Sequence, residues 1–297
     1  MTYRLTIGDW TYSSWSMRGW LLLEAFGLPF ETRKVPMYTD AFDAMQAEAF
    51  PARTVPMLEI GEPVEARLWD TLAIAETLAE RHPDAGHWPK ELSARTAARA
   101  LAAEMHASFH ALRDRPSMNL AARYEGFEPT DAELADADRV QALWAWALGH
   151  SGGPYLFGNF CAADAMFAPV ATRFVTYGFA LDEAARGYVE AIYAHPAFRR
   201  WHACADADPR RIERYHLDLP ESGEDGWPRA PRRPARRFEG EASQAVNDAC
   251  PYSGRAVAAD SLAEIDGRVI GFCNPFCCAK SIADADAWPK LAPLLEG

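Results

Sequence analysis

The first eighty residues alternate short apolar runs with amphipathic stretches. In chain order the pattern predicts a strand at 3–7, a helix at 16–26, a strand at 30–35, strands at 55–60 and 66–68, and a helix at 72–80. Gly27 stands where a glycine ends a helix, and Asp70 stands where a carboxylate begins one. A strand, a helix and a second strand predict a right-handed unit with two parallel strands.

The next hundred or so residues have a helical pattern throughout. Ser93 is predicted to cap an alanine-rich helix running towards Arg113, and a second long helix is predicted at 131–148. Gly152-Gly153-Pro154 interrupts the chain before another helix, in which Cys161 takes the cap position and Asp164 follows three residues later. We expect Asp164 to be structural and Cys161 to be a small buried residue.

From residue 218 the composition changes to a loop rich in Pro, Gly and acidic residues. A basic, proline-rich run follows at 229–237, and the whole of 217–245 is predicted to be an extended linker. A nucleic-acid patch is an alternative. Contact between the run and an acidic surface of its own chain is another.

Composition narrows the functional classes. The chain has 297 residues and a formal net charge of -12, which argues against nucleic-acid binding and for a soluble protein. No apolar run approaches membrane-spanning length, and residues 1–10 lack the features of a signal peptide, so we predict a cytoplasmic protein with no membrane partner. In that compartment the six cysteines are expected to be free thiols or metal ligands.

Four of those cysteines lie in the last fifty residues. Twenty-two residues separate Cys250 from Cys273, and three separate Cys273 from Cys277. A hairpin with an Asp-Gly turn is predicted at 263–272, and a short helix at 275–283. Because so short a segment has little core of its own, a metal staple is physically motivated. If Cys250, Cys273 and Cys277 bind a metal ion, the candidates for its fourth ligand are Asp248, Cys278 and water. The alternative is that these three cysteines are buried free thiols in a module without metal.

A serine cluster lies between the first predicted strand and the first helix. Residues 12–18 combine hydroxyl groups with the unpaired N–H groups and positive end of a helix, a combination that suits an anion such as a thiolate. The alternative is that Ser13 or Ser14 is only a helix cap.

Three motifs in this order resemble the glutathione S-transferases. They are Ser13-Ser14-Trp15-Ser16-Met17-Arg18, Arg53-Thr54-Val55-Pro56-Met57-Leu58 and Leu68-Trp69-Asp70-Thr71-Leu72-Ala73-Ile74. The first is similar to the serine motif of the zeta class and of related bacterial enzymes. The resemblance implies a thioredoxin-like α/β domain at 1–82 and an all-α domain at 90–216.

The resemblance also implies roles for individual residues. Ser13 or Ser14 would stabilise the thiolate of glutathione, and Val55, before a cis Pro56, would pair with its cysteinyl backbone. Asp70 would hold the γ-glutamyl amine and Thr71 the α-carboxylate, while Arg53, Arg33 or Lys34 would meet the glycyl carboxylate. Two positions depart from the pattern: Trp15 replaces the cysteine of the zeta class, and Asp70 replaces the usual glutamate.

Residues 246–297 resemble the TRASH and YHS-type metal-binding modules, which share a Cys-x19-22-Cys-x3-Cys pattern. The resemblance implies a small treble-clef-like zinc-finger module that holds zinc or another soft metal through Cys250, Cys273 and Cys277. The sequence therefore predicts a glutathione transferase that uses an apolar small-molecule electrophile and forms a homodimer, with isomerisation as a further activity. The alternative is a non-catalytic platform whose working part is the cysteine module.

Overall fold

The computed structural model describes residues 2–222 and 232–296. It divides into two compact units, Met1–Tyr193 with Ile212–Trp227, and Ala194–Arg211 with Pro228–Gly297. The predicted boundaries place residues 194–211 in the helical domain, whereas the structure groups them with the cysteine module. Within the predicted linker at 217–245, residues 223–231, including the first part of the basic run, lie outside the described residues.

The first unit begins with a thioredoxin-like sheet and its helices. The elements are β1 (Tyr3–Ile7), α1 (Ser14–Glu24), β2 (Glu31–Lys34), α2 (Asp40–Glu48), β3 (Met57–Ile60), β4 (Ala66–Leu68) and α3 (Thr71–Arg81). The sheet order is β2-β1-β3-β4, with β1 parallel to β2 and the other pairs antiparallel. The central strands bury Leu5, Ile7, Leu58 and Ile60 completely. The predicted order of elements is confirmed.

Helices make up the rest of the first unit. They are α4 (Leu92–Ala107), α5 (His110–Asp114), α6 (Asp131–Ser151), α7 (Ala162–Tyr177) and α8 (Glu183–Ala194). Their core forms around Trp144, which is fully buried and whose ring packs against the rings of Phe167, Phe174 and Tyr188. Helix α1 packs against α3 and α7. The helical pattern of the sequence is confirmed here.

The predicted cap of α4 is wrong. Glu91, not Ser93, is the cap residue, and its carboxylate accepts the N–H of Ala94 over 2.8 Å. The helix therefore begins one residue before Ser93, whose hydroxyl donates to the same carboxylate. A carboxylate suits the positive end of a helix, so it competes well with a serine two positions later.

The predicted continuation of α4 to Arg113 is also wrong. The helix ends at Ala107, because Phe109 adopts a left-handed backbone conformation with φ of 60° before α5 begins. The Arg113 guanidinium supplies hydrogen bonds to carbonyls at the end of α4. Its Nη1 donates to the carbonyls of Ser108 at 2.8 Å and His106 at 3.0 Å. A basic side chain at the negative end of a helix is favourable.

Asp164 has the structural role expected of it. Its carboxylate is fully buried and accepts the N–H groups of Cys161 at 2.9 Å and Leu156 at 3.0 Å. Burial raises the pKa of Asp164 to about 6, and these hydrogen bonds offset only part of that effect.

This buried carboxyl predicts a pH dependence of stability. Because its folded pKa of about 6 lies above its ordinary value of 3.8, the folded state holds its proton more tightly than the unfolded state does. The stability that Asp164 contributes is therefore greatest below pH 4 and is lost as the pH rises to 6, by up to about 3 kcal/mol. Urea unfolding of the wild type and Asp164→Asn from pH 4 to 7 measures it. The free energy of unfolding of the wild type should fall relative to that of Asp164→Asn as the pH rises. A difference that does not change with pH would contradict the raised pKa of Asp164.

The second unit combines one helix with a small sheet module. Its elements are α9 (Pro196–Asp206), β5 (Ala235–Arg237), β6 (Leu262–Ile265), β7 (Arg268–Gly271), α10 (Pro275–Ala283) and α11 (Ala292–Glu296). The antiparallel sheet has the order β5-β6-β7. Asp266 and Gly267 join β6 to β7 with φ angles of 51° and 78°, as a tight hairpin turn requires, so the predicted hairpin and the helix after it are confirmed.

The core of the second unit is larger than the last fifty residues alone supply. Phe272, Ile270, Ile265 and Leu291 are fully buried, and α9 packs against α10. Between α9 and the residue that ends α10, Arg199 makes two hydrogen bonds of 2.7 and 2.8 Å to the buried carboxylate of Asp284. The last fifty residues therefore do not pack alone, because α9 contributes contacts from outside them.

The described part of the basic run is paired with acidic groups of its own unit. Arg233 lies 2.8 Å from Asp286 and 3.2 Å from Asp266, and Arg236 lies 2.7 Å from Glu264. Residues 235–237 form strand β5 instead of the extended linker that was predicted, because they pair with β6. In the described ranges, no helix combines the length and apolar character needed to cross a membrane.

Candidate functional site

The serine cluster begins α1 as predicted. Ser13 is the cap residue: its Oγ accepts the N–H of Ser16 at 3.4 Å and donates to the Ser16 Oγ at 2.7 Å. Ser14 is half-buried, and its hydroxyl has no hydrogen-bond partner in the described part of the chain. The N–H of Trp15 is likewise unpaired there. The cap interpretation of Ser13 is therefore correct, and a hydroxyl and an N–H at the start of the helix remain for a ligand.

The second motif forms a loop against α1. The Val55-Pro56 peptide bond is cis, as the resemblance implies. Among residues 2–222 and 232–296, neither the backbone N–H nor the C=O of Val55 has a hydrogen-bond partner. Gly19 of α1 lies directly under the proline ring: a Cβ at this position would be 2.6 Å from the Pro56 Cγ. The helix and the loop are therefore in the closest contact that a backbone allows.

The third motif begins α3. The Oδ1 of Asp70 caps the helix by accepting the N–H of Leu72 at 2.8 Å and of Ala73 at 3.3 Å, and its Oδ2 lies 2.7 Å from the His106 Nε2. Burial raises the pKa of Asp70, but the hydrogen bond from His106 and those from the backbone outweigh it, so the pKa is below its ordinary value. The side chain is 45% exposed and is therefore a carboxylate that a ligand can reach.

Trp15 connects the serine cluster to this carboxylate. Its ring lies 5.2 Å from the ring of His106, and the guanidinium carbons of Arg18 and Arg113 lie 4.4 and 5.0 Å from its centroid. Arg18 is fully buried, donates its Nε to the Met166 carbonyl, and has no hydrogen-bond partner for Nη1 or Nη2 among the described residues. Burial and the neighbouring arginines lower the pKa of Arg18. Two guanidinium groups therefore lie against the Trp15 ring in the first turn of α1.

The three motifs form a closed ring of contacts. Gly19 joins α1 to the Pro56 loop, and the Thr54 hydroxyl joins that loop to the Trp69 carbonyl over 3.3 Å. The Asp70 to His106 hydrogen bond and the Trp15 ring complete the return to α1. The structure thus brings together residues that the sequence separates by more than fifty positions.

Two further predicted residues border this ring. Thr71 is the first residue of α3; its Oγ1 is buried and has no hydrogen-bond partner among the described residues. Arg53 is exposed, with its guanidinium carbon 6.0 Å from the Phe50 ring centroid. Of the alternatives to Arg53, Lys34 lies 3.5 Å from the Asp9 carboxylate. Arg53 and Arg33 therefore remain the better candidates for a terminal carboxylate.

In the second unit the three predicted cysteines form a cluster. The Sγ atoms of Cys250, Cys273 and Cys277 lie within 4.8 Å of one another. The Ser253 hydroxyl and the Asn274 amide donate to the Cys273 sulfur at 3.2 and 3.3 Å.

The thiols of this cluster differ in acidity. For Cys250, burial raises the pKa, but hydrogen bonds from Cys273, Tyr252 and Ser253 outweigh it and bring the pKa to about 7. Burial, together with the neighbouring thiolates, raises the pKa of Cys277 to about 12. Binding of a metal ion to these three cysteines would release protons, because a cysteine binds a metal as the thiolate.

Gly19 and His106 are the functional residues whose roles sequence reasoning missed. A glycine inside a helical pattern lowers helix propensity, which indicates a packing reason for its presence, here the Pro56 ring. The pairing of His106 with Asp70 has no such signal, because it depends on how α4 packs beside α3.

Comparisons with known proteins agree with this geometry. Residues 12–81 match the model of the glutathione S-transferase N-terminal domain. A maleylacetoacetate isomerase from Anaeromyxobacter dehalogenans 2CP-1 has a TM-score of 0.53 and 25% identity, over 73% of this chain and 97% of that one. A Burkholderia glutathione transferase homolog with bound glutathione has a TM-score of 0.52 and 24% identity, over 68% of this chain and 96% of that one.

A third solved structure, a maleyl pyruvate isomerase described as a bacterial zeta-class glutathione S-transferase, has a TM-score of 0.52 and 24% identity. The match covers 71% of this chain and all of that one. A search of curated proteins gives no match. Residues 12–81 thus match a glutathione S-transferase N-terminal domain, and the first unit shares the fold of these solved neighbours.

Proposed function

We propose that the first unit binds glutathione, stabilises its thiolate and transfers it to an electrophile. The observation that carries the proposal is the backbone of Val55, whose N–H and C=O have no partner among the described residues, in the loop between the starts of α1 and α3. An extended peptide segment pairs with such a backbone edge in the manner of an added strand. The solved neighbour with bound glutathione supports glutathione as that peptide.

The remaining groups suit the ends of the tripeptide. The half-exposed Asp70 carboxylate holds the γ-glutamyl amine beside His106, and the start of α3 at Thr71 receives the α-carboxylate. Arg53 holds the glycyl carboxylate. These assignments place one charged partner at each charged end of glutathione.

The serine pair then acts on the sulfur. An unperturbed thiol titrates near 8.5, so only a small fraction is thiolate at neutral pH. One hydrogen bond to the thiolate, together with the positive start of α1 and the nearby arginines, supplies the roughly 2.7 kcal/mol that a two-unit decrease requires. Ser13 or Ser14 is the donor, and the unpaired hydroxyl of Ser14 makes it available without breaking another contact.

The acceptor is proposed to be an apolar small-molecule electrophile that lies beside Trp15. The thiolate attacks the electrophilic carbon, a carbon–sulfur bond forms as the bond from that carbon to its leaving group breaks, and the leaving group departs to solvent with the electron pair. The product is a thioether of glutathione. Isomerisation of a double bond by reversible thiolate addition is the alternative reaction, which the isomerases among the solved neighbours favour. We further propose a cytoplasmic homodimer, as the resemblance implies.

Replacing both serines tests this function. In Ser13→Ala with Ser14→Ala, the pKa of the bound glutathione thiol should rise by about one to two units, because a hydrogen bond to a charged group contributes about 1.5–3 kcal/mol. The ultraviolet absorbance of the thiolate, followed across pH with glutathione bound, measures the shift. The two single variants show which hydroxyl is responsible.

The matched control keeps both hydroxyls as Ser13→Thr with Ser14→Thr, and should retain the low thiol pKa. If the double alanine variant binds glutathione with an unchanged thiol pKa, the serines are structural. If the wild type does not bind glutathione at all, the transferase proposal is wrong.

A second candidate function is favoured by the cysteine cluster. We propose that Cys250, Cys273 and Cys277 bind zinc or another soft metal in a treble-clef-like module. Thiolates at zinc–sulfur distances of 2.3 Å lie about 3.8 Å apart in a tetrahedron, so three sulfurs within 4.8 Å fit such an ion. Stoichiometric metal without glutathione binding would make the chain a metal-binding platform instead of a transferase.

A further inference from the structure

The cysteine cluster supplies three ligands to an ion that prefers four. In the described part of the chain, no fourth His, Cys, Asp or Glu ligand atom lies within 4.8 Å of all three sulfurs. Asp248 is therefore not a ligand in this arrangement. Cys278 is excluded as well, because its buried thiol donates to the Leu262 carbonyl over 3.3 Å.

The cluster is accessible from solvent. Cys250 is buried, but Cys273 and Cys277 are half-buried, and Ser253 beside them is exposed. Structural zinc sites are closed by four protein ligands, whereas sites that act on small molecules keep one position open. A cluster in which two of the three cysteines are partly exposed corresponds to the second kind.

The second unit has stabilising contacts apart from the cysteine cluster. Its apolar core and the buried pair of Arg199 and Asp284 already hold α9, α10 and the sheet together. A metal ion bound by the three cysteines would therefore keep one coordination position that no protein group fills.

A cation acts on the cluster. Lys280 follows Cys277 by one helical turn and acts electrostatically on its sulfur, and the Lys280 Nζ lies 3.9 and 4.0 Å from the ring centroids of Tyr252 and Trp288. A divalent ion on three thiolates leaves one negative charge, and a fourth anionic ligand would leave two. A fixed positive charge at this point offsets part of that charge.

We propose that Cys250, Cys273 and Cys277 form an open site, in which a thiophilic ion takes the thiolate of a small exogenous thiol as its fourth ligand. The inference rests on the metal binding proposed above. In this exchange a metal–water bond breaks and a metal–sulfur bond forms, while the thiol proton passes to solvent. Soft ions prefer sulfur, so a thiolate competes well with water for the position. Glutathione, the proposed ligand of the first unit, is a thiol of this class.

The number of sulfur atoms bound to the metal ion tests the proposal. The full chain, kept reduced with a phosphine, is loaded with zinc alone, and its X-ray absorption spectrum is recorded before and after addition of glutathione. We expect one zinc per chain with three sulfur neighbours and one oxygen, changing to four sulfurs with glutathione. S-methylglutathione, which lacks a free thiol, should leave the count at three.

Two variants complete the test. Cys273→Ser should lose zinc at stoichiometric concentration, whereas Cys278→Ser, matched in chemistry and outside the cluster, should behave as the wild type. Four protein ligands before any thiol is added would overturn the open site, as would a count of three that glutathione does not change. Failure to bind zinc overturns the metal proposal and this inference with it, but leaves glutathione binding by the first unit untouched.

Discussion

Gly19→Ala should destabilise the first unit by about 2–3 kcal/mol and weaken glutathione binding at least tenfold. The new methyl group would lie 2.6–2.7 Å from the Pro56 ring, at a distance that real Cβ atoms do not tolerate. Helix α1 and the Val55-Pro56 loop must then separate. Because both border the proposed glutathione site, stability and affinity should fall together.

Gly187→Ala is the matched control. Gly187 also lies inside a helix, α8, but a Cβ there meets nothing within 4 Å. Alanine should therefore stabilise the unit by about 0.5–1 kcal/mol through helix propensity alone. Urea unfolding and a glutathione titration of both variants provide the comparison. Equal effects at the two glycines would show that Gly19 is not packed against the loop.

Asp284→Asn should destabilise the second unit by about 3–5 kcal/mol. The Asp284 side chain is 1% exposed and makes both hydrogen bonds to Arg199, whose side chain is 20% exposed. An amide cannot accept both hydrogen bonds and carries no charge, so the substitution leaves a largely buried guanidinium without its carboxylate. Hydrogen exchange of the β6 and β7 amides reports the loss for this unit.

The control is Glu264→Gln at an ion pair of similar length. Glu264 lies 2.7 Å from Arg236, whose side chain is 74% exposed, so the cost should be below about 1 kcal/mol. Arg199→Met combined with Asp284→Leu should recover part of the stability, since no buried charge then lacks a partner. A similar cost for Asp284→Asn and Glu264→Gln would contradict the importance of burial.

Local chemistry explains why much of the fold is predictable from the sequence. Alternating apolar residues identify the strands of the first unit, and the Asp266-Gly267 turn identifies the hairpin of the second. Each depends on neighbours a few positions away. The cis Val55-Pro56 bond is different, because only the resemblance to a family implied it.

The errors arise where neighbours compete or where distant groups meet. Glu91 and Ser93 are both able to cap α4, and the path of the incoming chain decides between them. The left-handed Phe109 has no sequence signal, because bulky residues rarely adopt this conformation. The association of α9 with the cysteine module involves the pair of Arg199 and Asp284, which are far apart in the sequence. His106 and Asp70 are likewise far apart in the sequence.

The candidate sites show the same division. The sequence predicts their residue types, since hydroxyls beside a helix start and cysteines at fixed spacing have recognisable chemistry. It does not predict which atoms remain without a hydrogen-bond partner. Only packing explains why the Ser14 hydroxyl has no partner among residues 2–222 and 232–296 while that of Ser13 is engaged, and why Cys278 lies apart from the other three thiols.

The paired arginines of the basic run make one part of the second unit sensitive to ionic strength. Arg233 and Arg236 hold the segment around β5 through carboxylates that are largely or partly exposed, and such pairs weaken as the Debye length falls from about 10 Å at 0.1 M salt to about 3 Å at 1 M. The buried pair of Arg199 and Asp284 is screened much less. Salt concentration therefore distinguishes two layers of this unit: an edge strand whose side-chain ion pairs are screened, and an interior held by burial.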